Sequence, residues 1–339
     1  MTATILATGG AGYIGSHVVA ELMASGRRVV ILDDFSNAAR DVPERIAALG
    51  FGAPDLVEGD VCDPGVLAEL FRRFEVDAVV HRAGLRAVGE SVGEPLRYVR
   101  VNVGGAVALF EAMLAHGVGR LVFSSSATVY GVPEKTPIGE GAPLGAVNPY
   151  GRTKLVIEET INEVVVARPE VAAVSLRYFN PVGAHGSGLI GEDPRGVPNN
   201  LFPYIAQTAA GIRQRLAVHG DDYPTPDGTA IRDYIHVVDL ARGHRAAIDF
   251  LLAGQGVGRN TAINLGRGHG HSVLEAVAAF GRAVGRAIPY AIGPRRVGDV
   301  AVSVADARLA AELLGWRAEL DLDRMCADHW AFQSRLLVR

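Results

Sequence analysis

The sequence has few of the residues that would place it among secreted, disulfide-stabilised proteins. Its 339 residues include only two cysteines, Cys62 and Cys326, and these lie too far apart to suggest a disulfide framework. The chain passes almost at once into an apolar strand, without the basic region, apolar segment and cleavage site of a signal peptide. We therefore expect a cytoplasmic protein.

Long apolar runs and excess positive charge are missing too. No apolar run reaches the ~18 residues typical of a membrane span, and the formal net charge of −4 gives no general reason to expect nucleic acid as a partner. No metal-ligand cluster is evident, because His269-Gly270-His271 is typical of a loop. A hydrophobic content of 49% indicates a well-buried globular core.

Lysine is scarce in a chain rich in arginine. Only Lys135 and Lys154 are lysine among the 33 basic residues, and the other 31 are arginine. Lys154 follows Tyr150 by four residues at the start of a predicted helix, so both side chains lie on one face. An ammonium beside a phenol favours the phenolate and lowers a pKa that is otherwise near ~10. This spacing predicts a catalytic tyrosine-lysine pair, although a packed pair on an ordinary helix is the alternative.

A glycine-rich turn follows the first predicted strand, Ala3 to Ala7, and precedes a helix that runs to about Ser25. Its glycines stand at positions 9, 10, 12 and 15, a spacing that allows a tight turn and close approach of a pyrophosphate to a helix N-terminus. The next strand, Arg28 to Leu32, leads to Asp33, where a carboxylate would bind the ribose hydroxyls and repel a 2′-phosphate. We expect NAD rather than NADP, with a solvated strand-end aspartate as the alternative.

Strands and helices continue to alternate as far as Arg177, which predicts a Rossmann-type, doubly wound parallel sheet. Asp60, Ala83-Gly84 and the serine cluster at 124–126 all follow strands, at the edge of the sheet where ligands bind. After Arg177 the chain is rich in Pro, Gly and Asn. We assign residues 1–177 to an NAD-binding domain, to which later segments return, and residues 178–339 mainly to a smaller substrate-binding lobe.

Several long blocks resemble the UDP-glucose 4-epimerase family of extended short-chain dehydrogenases/reductases, in order and essentially end to end. The blocks span residues 9–17, 87–92, 124–130, 177–184 and 232–237. The resemblance implies that Tyr150 accepts the proton of the sugar 4-hydroxyl, that Lys154 assists it and that Ser126 positions the sugar. It further implies a homodimer that pairs the long helix after Gly93 with the Tyr150 helix.

The resemblance also implies the residues that bind each ligand. Those expected to bind NAD are Gly9, Gly12, Tyr13, Ile14, Gly15, Asp33, Asn37, Asp60, Val61, Arg82, Ala83, Gly84, Arg86, Asn102, Ser124, Tyr150, Lys154 and Phe179. Those expected to bind the UDP-hexose are Ser126, Tyr150, Asn180, Asn199, Asn200, Leu201, Ala217, Val218, His219, Arg232, Arg296, Asp299 and Ser303.

The expected reaction is the NAD-dependent interconversion of UDP-glucose and UDP-galactose through a 4-keto sugar. Because Ser303 is small where family members with a bulky residue exclude an N-acetyl group, we also expect action on UDP-N-acetylglucosamine and UDP-N-acetylgalactosamine. Thr128 is followed by Val129-Tyr130 rather than by carboxylates, which argues against 4,6-dehydration. A UDP-pentose 4-epimerase or a non-catalytic NAD-binding scaffold stays open as an alternative. Arg82 and Val101 depart from the family pattern beside the cofactor, so we expect partial NAD occupancy.

Overall fold

The computed structural model describes residues 2–194, 196, 198, 200–296 and 298–338. The strands are β1 Thr4–Thr8, β2 Arg28–Asp33, β3 Asp55–Glu58, β4 Ala78–His81, β5 Arg120–Ser126, β6 Ala172–Tyr178, β7 Asn180–Val182, β8 Leu216–His219, β9 Ile231–Arg232, β10 Tyr234–His236, β11 Arg259–Leu265, β12 His271–Ser272, β13 Tyr290–Gly293 and β14 Val302–Ser303. The helices are α1 Tyr13–Ala24, α2 Val42–Ile46, α3 Pro64–Arg73, α4 Val88–Gly93, α5 Pro95–Tyr98, α6 Gly105–Ala115, α7 Pro149–Ala167, α8 Leu201–Ala209, α9 Val237–Leu252, α10 Val273–Val284, α11 Arg308–Leu314 and α12 Leu322–Leu336.

A seven-stranded sheet, with every pair of neighbouring strands parallel, forms the centre of the molecule in the order β11-β6-β5-β4-β1-β2-β3. Its inner strands are nearly continuous apolar runs, as expected when helices cover both faces. The order of the strands reverses between β1 and β4, and ligands bind at such a reversal. The predicted doubly wound fold is confirmed.

Helices cover both faces of this sheet. One face buries α1 and α9 in a core that includes Val18 and Leu240. The other buries α3, α6 and α7 around Leu67, Leu109 and Ile157. Helix α9 and strand β11 both follow residue 178, so late parts of the chain complete the main sheet and one of its helical layers.

A smaller layer is built from short strand pairs and from α8, α10 and α12. The pairs are β8 with β13 and β7 with β10, and β9 lies between β12 and β14. Its own core packs Phe202, Phe280 and Met325. The sequence analysis did not predict α12, even though Asp321 caps it and Leu322, Met325 and Phe332 are buried along one face.

One helical run has the length and composition of a membrane span, which the search for apolar runs in the sequence did not find. It covers Pro95–Ala115, with a mean hydropathy of 1.3. Core helices of soluble proteins pass the same test, and Ala106, Leu109 and Met113 of this run lie in the core against the sheet. A π-helical stretch, Val99–Gly104, joins α5 to α6 within it.

Candidate active site

The start of α7 fixes the position of Tyr150. The Asn148 side chain accepts a hydrogen bond from the backbone N–H of Gly151 at 2.8 Å, and Pro149 occupies the first helical position. A Cβ on Gly151 would lie 3.0 Å from the carbonyl oxygen of Thr128, so the helix start approaches the turn after β5 closely. Tyr150 and Lys154 are both buried, with exposed fractions of 8% and 6%.

Lys154 is held by the backbone beside the tyrosine. Its Nζ donates to the carbonyl oxygen of Ser124 at 2.9 Å and lies 5.9 Å from the centre of the Tyr150 ring. Burial, followed by the positive charge of Arg82, lowers the pKa of Lys154 to about 7. The amine therefore lies close to the phenol while its hydrogen bond goes to the strand that carries the serine cluster.

The pKa of Tyr150 is subject to opposing influences. Burial raises the pKa, and Tyr178 acts in the same direction. A hydrogen bond with Ser126 and the charges of Arg82 and Arg86 lower it. Burial is the largest of these influences, so the pKa of Tyr150 lies above its ordinary value. Lys154, which the sequence analysis expected to favour the phenolate, stays a prediction in that role.

Ser126 ends β5 and faces the start of α7. Its Oγ accepts hydrogen bonds from the backbone N–H of Thr128 at 3.2 Å and from the Thr128 hydroxyl at 3.0 Å. With both bonds accepted, the Ser126 hydroxyl hydrogen remains available to Tyr150 or to a bound oxygen. Two hydroxyl groups thus meet at the carboxyl ends of the strands.

The glycine loop forms a close-fitting turn between β1 and α1. Gly9 has φ +66°, and a Cβ on Gly15 would lie 2.1 Å from the carbonyl oxygen of Gly9, so a side chain at residue 15 would collide with the loop. The Asp33 carboxylate holds the loop by accepting from the N–H of Ala11 and of Phe35, both at 2.9 Å. Burial raises the pKa of Asp33, and these two hydrogen bonds oppose the rise.

A second loop, residues 82–86, lies opposite the glycine loop after β4. The Asn102 amide accepts from the N–H of Leu85 at 2.7 Å and donates to the Leu85 carbonyl at 3.0 Å. It also donates to the Thr153 hydroxyl at 3.0 Å, which ties this loop to α7. Asn102, predicted as a cofactor ligand, therefore also positions the loop.

The other predicted cofactor residues lie at the same edge of the sheet in different environments. The Tyr13 hydroxyl donates to the Gly183 carbonyl at 2.8 Å, which joins α1 to the segment after β7. Ile14, Val61 and Phe179 are buried, and Asn37 and Asp60 are exposed. The Ser124 hydroxyl hydrogen-bonds the His244 ring at 2.9 Å, and its backbone oxygen binds Lys154.

Apart from Ser126 and Tyr150, the predicted substrate residues that the structure describes lie on the short strands, at the start of α8 or in loops. Ser303 pairs with Arg232 across β14 and β9, and Asp299 lies 3.6 Å from the Arg232 guanidinium. Ala217 is exposed on β8, whereas the Val218 side chain is in the core, which leaves its backbone for ligand contacts. Asn180 begins β7, His219 ends β8, Leu201 begins α8 and Arg296 is exposed. Asn199 lies outside the described residues.

One buried carboxylate that the sequence analysis missed connects the two halves of the site. Oε1 of Glu192 accepts from the Asn200 amide at 2.7 Å and lies 3.3 Å from the Arg86 guanidinium. Its Oε2 is buried and has no hydrogen-bond partner among the described residues. No spacing in the sequence marks this position, because its partners come from a loop and from a helix cap.

The chain is similar to known sugar-nucleotide epimerases along its whole length. The model of the NAD dependent epimerase/dehydratase family matches residues 5–266. The UDP-glucose 4-epimerase of Bacillus subtilis is 51% identical over 330 residues, which cover 97% of this chain and 96% of that protein. The human UDP-glucose 4-epimerase is 52% identical over 342 residues, covering 99% of this chain and 97% of that protein.

Solved structures agree in fold and in coverage. The UDP-glucose 4-epimerase of Stenotrophomonas maltophila, with bound NAD and formylated UDP-arabinopyranose, has a TM-score of 0.96 at 49% identity and covers 99% of both chains. The enzyme from Bifidobacterium longum in complex with NAD+ and UDP has a TM-score of 0.94 at 47% identity and covers 98% of both chains.

Proposed function

Because the chain belongs to the NAD dependent epimerase/dehydratase family, we propose that it interconverts UDP-glucose and UDP-galactose through a 4-keto sugar. One observation of the site carries this proposal. The buried hydroxyls of Tyr150 and Ser126 meet at the carboxyl ends of the strands, on the same edge of the sheet as the glycine loop. The paired hydroxyls are suited to removing and returning a proton on a sugar hydroxyl.

The residues of the chain have separate roles in this reaction. Tyr150 accepts the proton of the sugar 4-hydroxyl and later returns it, while Ser126 orients the same oxygen. The positive charges of Arg82 and Arg86 favour the phenolate, and the amine of Lys154 lies beside the same ring. The nucleotide is held through Asn180, Arg232 and their neighbours, whereas the hexose has fewer contacts. The 4-keto sugar can therefore rotate and present its opposite face before it is reduced.

The enzyme uses NAD, and the residues around the glycine loop fit that cofactor. Close packing at Gly15 leaves no room for a side chain, and the start of α1 has no side-chain cap among the described residues, so its amides face outward. Asp33 ends β2, where a carboxylate is suited to binding the ribose hydroxyls. When bound, NAD supplies the two-electron acceptor that the oxidation at C4 requires.

Incubation of the purified protein with UDP-galactose tests the proposed function. We expect UDP-glucose to appear without net consumption of NAD, with chromatography of the sugar nucleotides as the measurement. Turnover of UDP-xylose with no turnover of UDP-galactose would favour the pentose alternative. Binding of NAD with no turnover of either sugar would favour a scaffold.

We propose that Ser303 leaves room for an N-acetyl group, so the enzyme also acts on UDP-N-acetylgalactosamine. Ser303 is partly buried, and its strand register beside Arg232 supports a location in the substrate site. In Ser303→Tyr we expect a roughly tenfold to hundredfold loss on this larger substrate, because overpacking a site costs about 1–3 kcal/mol. The kcat/KM for UDP-galactose should change little.

Assays of both substrates on wild type, Ser303→Tyr and Ser303→Ala test whether residue 303 controls access of the N-acetyl group. The alanine variant is the matched control, because it keeps the space and should keep both activities. If Ser303→Tyr lost both activities equally, or if the wild type had no N-acetyl activity, residue 303 would not control this access.

We propose a homodimer that pairs the helical run Pro95–Ala115 and α7 with their copies. An apolar face of this region is exposed, formed by Val92, Leu96 at 78% and Val99, and large exposed apolar surfaces mark interfaces. Leu96→Glu combined with Val99→Glu should convert the dimer to a monomer in light scattering after size exclusion. Val257→Glu, at an exposed apolar residue elsewhere, is the control and should stay dimeric. A monomeric wild type would contradict the proposal.

We also propose that the protein is cytoplasmic and that its two parts bind different ligands, as predicted from the sequence. Cys62 and Cys326 are both free thiols, and burial raises the pKa of Cys62 to about 11 and that of Cys326 to about 12. Unreactive, unpaired thiols suit a reducing compartment. Residues 1–177 chiefly hold NAD, and residues 178–339 chiefly hold the UDP-sugar.

A further inference from the structure

The Arg82 side chain crosses the first turn of α1. Its Nη1 donates to the carbonyl oxygen of Gly9 at 3.4 Å, and a Cβ on Gly12 would lie 3.1 Å from the same nitrogen. Its Nε is buried without a hydrogen-bond partner in the described part of the chain. The guanidinium is therefore held against the glycine loop by packing and one long hydrogen bond.

The charge of this guanidinium is not balanced within the protein. Arg82 forms no ion pair with a carboxylate of the described residues, and Asp33, whose charge acts on it, uses its oxygens for the N–H groups of Ala11 and Phe35. A half-buried cation without a partner is costly. Such a group in a binding site indicates that its partner arrives with the ligand.

Other positive charges surround Arg82. The positive end of the α1 dipole faces it, and the first turn, Tyr13 to Ser16, has no acidic side chain. Burial is the largest influence that lowers the pKa of Arg82, and the charge of Arg86 acts in the same direction. Burial and then the charge of Arg82 lower the pKa of Lys154. Three cationic side chains and a helix N-terminus thus converge on one small region, which favours a ligand with two negative charges.

We propose that Arg82 is the charge partner of the NAD pyrophosphate and that this ion pair governs how firmly the chain retains its cofactor. A guanidinium suits this role because its planar fork binds two phosphate oxygens at once. The inference rests on the proposed function only through the use of NAD.

Cofactor retention should therefore depend on ionic strength. The sequence alone led us to expect partial NAD occupancy, on the ground that Arg82 and Val101 depart from the family pattern. The geometry points instead to firm retention at low salt and weaker retention at high salt, because a partly exposed ion pair is screened.

Nucleotide binding to cofactor-stripped protein tests this inference without any sugar substrate. Calorimetric titrations with NAD, ADP and adenosine would be made at about 0.05 M and about 0.5 M salt. In Arg82→Gln we expect the affinity for NAD and for ADP to fall about tenfold to a hundredfold at low salt, with a weaker salt dependence. Adenosine, which has no phosphate, should bind wild type and variant equally.

Two further variants complete the experiment. Arg82→Lys keeps the charge and loses the fork, so we expect a smaller loss for ADP, and this variant decides the question if Arg82→Gln does not fold. Arg168→Gln, at the exposed far end of α7, should match wild type. Unchanged ADP binding, or equal losses for ADP and adenosine, would overturn the role of Arg82. Because no turnover is measured, a failed epimerase assay would leave this result intact.

Discussion

Tyr150→Phe should lower kcat by roughly 10²–10⁴, the contribution of a positioned general base. The substitution removes only the phenolic oxygen that we propose accepts the sugar proton, and the buried ring keeps its packing at the start of α7. Burial raises the pKa of Tyr150, while Ser126 and two arginines lower it, so the rate depends on a phenolate that the site must stabilise. Initial rates of UDP-galactose conversion provide the measurement.

The same preparation should retain its NAD and its fold, which separates loss of the base from loss of the site. Cofactor content can be read from the nucleotide released on denaturation, which should be NAD or NADH and not the 2′-phosphorylated form. Tyr290→Phe, at an exposed tyrosine on β13, is the control and should turn over normally. Near-normal turnover by Tyr150→Phe would refute the proposed mechanism.

Arg177→Met should destabilise the protein by about 3–5 kcal/mol, because it leaves a buried carboxylate without its partner. Arg177 on β6 and Glu158 on α7 are buried and 2.5 Å apart. The Arg177 guanidinium also donates to the Tyr130 hydroxyl at 3.1 Å, and the Ser125 hydroxyl donates to Glu158. Glu158 lies one helical turn beyond Lys154, so the ion pair holds α7, which carries Tyr150 and Lys154, to the sheet. Urea unfolding at a fixed NAD concentration measures the loss.

The double variant Arg177→Met with Glu158→Leu distinguishes two causes of the lost stability. One is the loss of the attraction between the two side chains, and the other is the cost of leaving the Glu158 carboxylate buried without a partner. Replacing both members of a buried pair with apolar residues is often neutral or stabilising, so we expect the double variant to regain more than half of the lost stability. If the double variant were less stable than Arg177→Met alone, the hydrogen bonds to Tyr130 and Ser125 would be the main contribution of the pair.

A helix can be located from the sequence when residues next to its ends mark where it starts and stops. Val273–Val284 begins at a Ser272–Glu275 capping box and ends at Gly285 in the left-handed region, so local residues mark both ends. Strand β5 is longer than the sequence analysis expected, because serines often hydrogen-bond nearby backbone groups in turns and the cluster at 124–126 was expected to follow the strand. It continues through Ser126, since His244 and Glu158 from other elements satisfy the hydroxyls of Ser124 and Ser125.

The candidate site also has some parts that the sequence indicates and others that it does not. The glycine loop and Asp33 lie within one strand-helix-strand unit, so their spacing along the chain is enough to indicate a dinucleotide site. The contact of Arg82 with Gly9 and the bridge of Glu192 between Arg86 and Asn200 depend on side-chain directions set by packing. Such directions leave no pattern in the sequence.

The burial of Lys154 affects how the protein can be chemically modified. Its amine is buried and hydrogen-bonded to the Ser124 carbonyl, which leaves Lys135 as the only lysine amine open to solvent in the described residues. Among lysine side chains, acylating labels and activated surfaces should react at Lys135, beside any free α-amino group. A fluorophore could therefore be coupled to the Lys135 side chain without altering the amine of Lys154.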